Sequence, residues 1–411
     1  MSVDAVSSLV YPSDEVCPHP YEHFAALRQE APVHKVPGRD EYLVSRHADI
    51  VEVMRQPELF SNLVFIIEDG VSRVARLEDV RPDRVGPIFS SDPPAHTKKR
   101  RIAFEYVKPG RLRAYEPVIH AIVDELIDAF APRGTVEFVQ ELAVPLPTRA
   151  IMAVLGFPPE DAEKTLAWGD YDGHGNRYLP PERRKNVEGG IRAMVAHVRD
   201  AVLDRYAQPR DDMLSDFVRA RVAADGGELD LPNVVAETVN FINGGMHTTR
   251  DMLGNTMRFL LDHPDQRALA LSDPALLVKA IEESLRLEST LQWTGRLVVR
   301  DTEVGGTQIP AGSVLILLLA SANRDAAVFD EPDAFDLCRP QLKAHLAFGT
   351  HIHSCLGAPL ARAEGRIAFE RLFARLPNLR LASGNDFAPR DSFNFRGLQA
   401  LHLEFDAGGG S

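Results

Sequence analysis

The run Phe348-Gly-Thr-His-Ile-His-Ser-Cys-Leu-Gly-Ala-Pro-Leu-Ala-Arg362 gathers side chains able to do chemistry. Cys355 stands just before an amphipathic helix that begins near Leu356. Amide donors at a helix N-terminus favour a thiolate over a thiol, and His353 and Arg362 add positive potential. A stabilised thiolate in a partly enclosed place is a metal ligand or a nucleophile. A lone cysteine with a purely structural role is the competing reading. His351, His353 and Cys355 alternate at spacing two, so an extended segment would turn all three one way, a weak zinc pattern. No second short-spaced ligand cluster is obvious elsewhere. A cysteine nucleophile with a histidine base stays open as well, without a local signature of its own.

A second constellation lies inside a long helical pattern, Val234 to Leu261, whose start Asp230 is placed to cap. Its interior holds Gly244-Gly245-Met246-His247-Thr248-Thr249. Each glycine costs about 1 kcal/mol against alanine within a helix, so something must compensate. Either a flat ligand approaches the bare backbone, or another helix packs tightly there. Thr248, four residues after Gly244, can donate to that carbonyl and open the helix locally.

These residues need a frame. The chain has 411 residues, 45% hydrophobic and 26% charged, with a net charge of −13 and three cysteines. Such a composition excludes a disordered chain, and three cysteines cannot staple a fold of this size. The longest strongly apolar run, Val314 to Ala320, is far short of the ~20 residues that cross a bilayer. No charged-then-apolar leader opens the sequence. A soluble, cytoplasmic protein without membrane partners is the expectation. Acidity argues weakly against nucleic acid, and no oligomer signal is visible.

Length alone suggests two or three domains, yet no Gly/Ser/Pro-rich linker divides the chain. One domain over 1–407 fits better, with Gly408 to Ser411 as a flexible tail or appended remnant. Stripes of helical period run through Val118 to Phe130, Ile191 to Tyr206, Val234 to Leu261 and Ala361 to Leu376. Strand signals are fewer. Pro32 to Val36 and Tyr42 to Ser45 suggest a hairpin about Pro37-Gly38; Arg296 to Arg300 pairs with Val314 to Leu319; Ala400 to Phe405 closes the chain. The fold class is mainly α with small antiparallel β-sheets.

The cysteine loop resembles the haem-binding signature of the cytochrome P450 superfamily, Phe-Gly-x-Gly-x-His-x-Cys-x-Gly. Other segments match the family in order along nearly the whole chain. Glu283-Ser-Leu-Arg286 looks like its Glu-x-x-Arg helix, and Arg339 in Phe335-Asp-Leu-Cys-Arg-Pro340 like the third member. Ala322-Asn-Arg-Asp325 and Phe329 to Phe335 precede that arginine as in the family. Gly244 to Thr249 resembles the oxygen-binding groove, and Asp92-Pro-Pro-Ala-His-Thr97 the early haem-contacting helix. Singly these are weak, since an i,i+3 Glu–Arg pair is usually a surface bridge worth ~0.3 kcal/mol. Together and in order they are specific.

The resemblance implies a cytochrome P450 fold around haem b (iron protoporphyrin IX), with Cys355 as axial thiolate, an electron-rich ligand that favours O–O cleavage. It assigns His96, Arg100, Arg296 and His353 to the buried propionates, which need neutralising. His96 and Arg100 would share one face of a helix capped by Asp92. Gly244, Gly245, Phe348 and Gly357 would contact the cofactor. Glu283, Arg286 and Arg339 would be structural, and Thr248 would handle oxygen and protons. Phe65, Leu291, Gln292, Thr294, Phe393 and Phe395 would wall a pocket for a medium-sized, partly polar small molecule, under a mobile loop at Tyr171 to Arg177.

Two residues depart from the family. His247 stands where Asp or Glu usually precedes the threonine; it could relay protons, or it points away and other groups serve. His351 replaces the second glycine of the loop, a strain if that position needs positive φ. The implied activity is a monooxygenase supplied by NAD(P)H through a separate ferredoxin reductase and ferredoxin, because no flavin or iron–sulfur segment is present. Lys98-Lys-Arg-Arg101 would dock an acidic ferredoxin, or simply be a solvated helix face. Peroxide-driven or nonstandard haem-thiolate oxidation, or a zinc-binding or haem-sensing protein, are the alternatives.

Overall fold

The computed structural model describes residues 6–68, 71–81, 86–168 and 173–407. The tail at 408–411 and the first two residues of the expected Tyr171–Arg177 loop lie outside the described residues. The molecule is built around the helix Leu231–Asp262, whose 32 residues span roughly 48 Å at 1.5 Å per residue. Asp230 caps it as expected, its side chain accepting from the Asn233 amide. Helices Pro145–Leu155, Pro181–Ala207, Pro274–Leu287 and Ala358–Arg375 pack against it. Their contact faces share one large apolar core that includes Ile151, Leu253, Met257, Ile281 and Phe369. Each such side chain contributes about 1.5–3 kcal/mol by leaving water.

The largest sheet runs in the order Val33–Lys35, Glu41–Val44, Val314–Leu317, Thr294–Val298, Phe60–Ser61. The first two strands form the expected hairpin, with Val33 opposite Val44. Val314–Leu317 pairs antiparallel with Thr294–Val298, placing Leu315 opposite Arg296. The same strand lies parallel to Glu41–Val44, the one parallel pairing in the sheet. Both strands of that pair are buried at every residue, which suits a continuous apolar run such as Val-Leu-Ile-Leu. Near the C-terminus, His402–Glu404 closes a three-stranded sheet between Arg380–Leu381 and Thr135–Glu137.

One cap differs from expectation. The early helix is Ala95–Phe104, and Pro94, not Asp92, precedes it. The Asp92 carboxylate accepts instead from the Ser61 hydroxyl and from the Asn62 amide at 2.9 Å. Two intervening prolines carry Asp92 past capping reach, and it ties the helix start to the sheet edge. Among the described residues no helix is long and apolar enough to cross a membrane.

Candidate functional site

The cysteine loop folds back on itself, the Cys355 amide donating to the Phe348 carbonyl at 2.7 Å. Residues His351–His353 form a single 3-10 turn. Gly349 and His351 both take positive φ, +65° and +55°. Histidine therefore occupies a left-handed position that glycine fills without cost. The turn also breaks the alternation on which a zinc reading depended. No group of three or more His, Cys, Asp or Glu able to hold a metal occurs among the described residues. Cys355 is accessible, yet protein packed about its sulfur raises the thiol above its ordinary range. The Gly357 and Ala358 amides, then Arg362 and Arg100, pull the other way. The helix-start amides thus do not hold a thiolate unaided, contrary to expectation, because desolvation outweighs them.

Near the sulfur, basic side chains converge from three elements. His96 and Arg100 come from the early helix, Arg296 from strand Thr294–Val298, and His353 from the loop. The two imidazoles stand 4.1 Å apart. Arg100 donates to the Ser354 hydroxyl at 3.0 Å, and Arg296 only to the carbonyl of its neighbour Gly295. His96 and Arg296 are 1% and 3% exposed. Both ring nitrogens of His96 and Nε2 of His353 are buried without a hydrogen-bond partner. Burial pushes His96 down to about 4. Burial and then the Arg296 charge push His353 down to about 2, and burial lowers Arg296 to about 10. Buried polar groups are normally satisfied, so this cluster is arranged for an anion.

Over the central helix, Thr248 donates to the Gly244 carbonyl at 2.8 Å while the helix runs unbroken through both residues. The two glycines divide the roles that the sequence left open. A β-carbon at Gly245 would stand 3.1 Å from Ile151 Cγ1, so that glycine serves helix–helix packing. One at Gly244 would meet nothing within 4 Å, leaving bare backbone on an open side. His247 is buried, its ring 6.2 Å from that of Phe395.

Glu283, Arg286 and Arg339 meet as expected and are far from a surface bridge. Glu283 and Arg286 are 0% exposed. Arg286 donates to both carboxylate oxygens at 2.8 Å, and Arg339 Nε to Oε1 at 3.0 Å. Arg286 also donates to the carbonyls of Asn323, Pro332 and Ala334. Next to this cluster, Glu282 bonds His345 and Arg362. Burial raises its carboxyl, but those hydrogen bonds prevail and hold it at about 2.

Of the expected pocket residues, Leu291, Gln292 and Thr294 lie on a segment that runs against Phe393 and Phe395, the Gln292 amide donating to the Asn394 carbonyl at 2.9 Å. The Phe65 side chain lies outside the described residues. Leu291 bridges to Phe395, and Thr294, half-buried, opens its strand. Gln292 is buried and donates to Ser289 O at 2.6 Å. Phe393 packs with Leu179 and Val187 and accepts from the Trp293 indole at 2.8 Å, as an ordinary core residue does. His174 was not singled out. It sits between the rings of Phe89 and Trp293, 5.9 and 5.8 Å away, and burial then Arg296 lower it to about 4. Its loop composition hid it, because such runs read as solvated turns.

The basic run also divides. Lys98 pairs with Asp225 at 2.5 Å. Lys99 is 5% exposed and bonds Gly86 O, Ser91 Oγ and Asn233 Oδ1. It cannot take part in docking, contrary to the expectation that the residues of the run other than Arg100 reach solvent. Arg100 turns inward and Arg101 outward.

The cytochrome P450 family matches residues 268–377, a stretch that contains Glu283, Arg286, Arg339 and Cys355. Cytochrome P450 107B1 of Saccharopolyspora erythraea is 32% identical over 409 residues, 98% of each chain. The chain belongs to the cytochrome P450 family. Vitamin D(3) 25-hydroxylase of Pseudonocardia autotrophica is 35% identical over 391 residues, 93% of each chain. The structure of the P450 CYP109Q5 from Chondromyces apiculatus superposes with a TM-score of 0.82 at 31% identity, over 98% of this chain and all of that one. As a P450 the protein is a monooxygenase, and the family's cofactor is haem. The residues fit such a group. The unpartnered His96 and His353 nitrogens and the under-used Arg296 suit two carboxylates, an accessible cysteine lies beside them, and Gly244 leaves room for a flat ligand.

Proposed function

We propose that this P450 inserts one oxygen atom of O2 into a medium-sized organic substrate, with electrons from NAD(P)H through a separate ferredoxin reductase and ferredoxin. The observation that carries the reading is the cluster of His96, Arg100, Arg296 and His353 by Cys355, in which both His96 ring nitrogens and His353 Nε2 are buried without partners. Cys355 would hold the iron of haem b through its sulfur, with Gly357 and Phe348 shaping the sulfur's surroundings. Haem, when bound, supplies the oxygen-activating chemistry. His96, Arg100, Arg296 and His353 would hold the two propionates, with the two arginines supplying the counter-charge that lets a dianionic edge be buried. Glu283, Arg286 and Arg339 hold the approach to the cysteine loop rigid. Thr248 keeps its own proton on the Gly244 carbonyl, so its oxygen can accept from water and hold a proton near the open side of the helix.

Relatives named for vitamin D3, a steroid and 6-deoxyerythronolide B support a largely apolar substrate with few polar groups. Leu291, Thr294 and Phe395 remain wall residues, with Gln292 and Phe393 behind them. Electron transfer enters near Arg101, where Phe104 is 50% exposed and an acidic ferredoxin finds apolar and cationic contact. The setting is the cytoplasm, without membrane or nucleic acid.

The carbon-monoxide difference spectrum of the reduced protein tests the reading. A red-shifted, thiolate-type Soret band is expected, and Cys355→Ala abolishes it; a colourless preparation carrying zinc sinks the proposal. A second oxygen source, hydrogen peroxide, is favoured by His247 at the usual acid position. Product formed from peroxide without partner proteins, as fast as with them, selects that route.

A further inference from the structure

Glu237 is a buried carboxyl that the oxygenase reading leaves without a role. It is 0% exposed on the central helix, and both its oxygens lack a hydrogen-bond partner. Its nearest cations stand off. Arg221 Nη1 lies 3.4 Å away and Lys99 Nζ 3.9 Å. Lys99 has spent its three protons on Gly86, Ser91 and Asn233. Arg221 turns its other nitrogen to Asp225 at 3.2 Å, and Asp225 in turn reaches Lys98, 43% exposed at the surface. A charged link thus leads from solvent to a buried carboxyl.

The same helix continues the polar path. Asn240 follows Glu237 by three residues, Asn243 follows by three more, and Gly244 and Thr248 lie seven and eleven beyond Glu237. Spacings of three and four bring side chains together on one edge, and eleven residues rise roughly 16 Å. Asn240 is half-buried, and the buried Asn243 Oδ1 also lacks a partner. Orphaned buried polar atoms in a row are where proteins hold ordered water.

We propose that Glu237 is the proton-holding group of this enzyme, drawing protons from the Asp225–Lys98 side and passing them through water held by Asn240 and Asn243 to Thr248. The inference rests on the oxygenase reading above. Inserting one atom of O2 into a C–H bond consumes two electrons and two protons and releases one water; the partner proteins supply the electrons, and Glu237 relays the protons. It does so from a distance, touching neither substrate nor cofactor. It answers the want of an acid at position 247. Burial raises the Glu237 carboxyl to about 7 against the pull of Arg221 and Lys99, with Asp225 and Asp230 raising it further. Near neutrality it therefore both holds and releases a proton, as a relay must.

Infrared titration of the ligand-free protein reads the group directly. A protonated-carboxyl band that disappears with a midpoint near pH 7 in the wild type and is absent from Glu237→Gln is expected. Glu364, also buried and kept protonated far higher, gives a band that does not titrate and serves as the internal reference. In the holoenzyme, Glu237→Gln and Asn240→Leu should each lower the product formed per NAD(P)H by about tenfold, with unchanged substrate-induced spin shift. Asn240→Leu keeps the titrating band and so isolates the water path should Glu237→Gln misfold. Full coupling in Asn240→Leu, or no titrating band, overturns the inference. Failure of the oxygenase reading shows separately, as a missing thiolate-type carbon-monoxide spectrum in the wild type.

Discussion

Two buried clusters of arginine and its partners lie in this molecule and have opposite bookkeeping. Around Glu283, every guanidinium edge meets a carboxylate or a backbone carbonyl. Around His96, Arg296 and His353, same-sign or neutralised groups crowd together with ring nitrogens unpartnered. Glu283, Arg286, His96 and Arg296 are all buried; their satisfaction differs. A saturated cluster holds the chain in one arrangement, whereas a deficient one stores an unfavourable energy that a ligand of the right charge relieves. The contrast separates a structural clasp from a binding site without reference to any relative.

The comparison can be broken most sharply at the clasp. Glu283→Ala leaves Arg286 and Arg339 buried without their carboxylate, and urea unfolding should show a loss of about 3–5 kcal/mol. A loss below about 1 kcal/mol would mean that the clasp is not saturated in the way its geometry says.

The next effect belongs to the deficient cluster and depends on pH. His96 has its folded value lowered to about 4, below its ordinary value near 6.5. Between these values the unfolded chain binds more protons than the folded one. Stability from this group is therefore full above about 6.5 and is lost as pH falls towards about 4, by about 2–3 kcal/mol in haem-free protein. Propionates beside the ring would remove most of this slope, so haem-loaded protein should show a flatter profile. Equal slopes in the two forms contradict the assignment of His96.

Arg296→Met offers a smaller change of opposite sign to the clasp variant. Removing an under-paired buried charge should raise haem-free stability by about 1–2 kcal/mol, while haem dissociates about tenfold faster. A stability loss like that of Glu283→Ala would put Arg296 in the structural class. Smallest is His351→Gly, which releases left-handed strain and should gain about 1 kcal/mol or less in thermal unfolding.

Much of this was legible beforehand. The Glu283–Arg286 spacing places both on one helix face, and the loop to Cys355 carries its chemistry within eight residues. The helix through Gly244 and Thr248, its Asp230 cap and the terminal strand all appear where periodicity put them. Other features were hidden for physical reasons. Lys99 and Arg101 are two apart in a basic run, yet one is buried and the other exposed, because the facing helices come from residues 213–224 and 231–262. Gly244 and Gly245 are identical in sequence terms, and only the position of Ile151 tells them apart. The parallel pairing of Val314–Leu317 with Glu41–Val44 joins segments some 270 residues apart in the chain, beyond the reach of any local pattern.

The sequence by itself determined which chemistry the chain can carry: a thiol before a helix, a bare patch of helix beside a hydroxyl, and arginines near carboxylates. These follow from side-chain type and from neighbours three or four residues apart, which backbone geometry brings together on its own. Tertiary structure alone decided which of those charges found partners. Desolvation and counter-charge depend on what distant segments bring to within a few ångströms, and that is a property of packing rather than spacing. Glu237 shows the difference plainly: an unremarked glutamate in a helical run becomes, once Lys99 and Arg221 close over it without bonding it, a carboxyl poised to move protons.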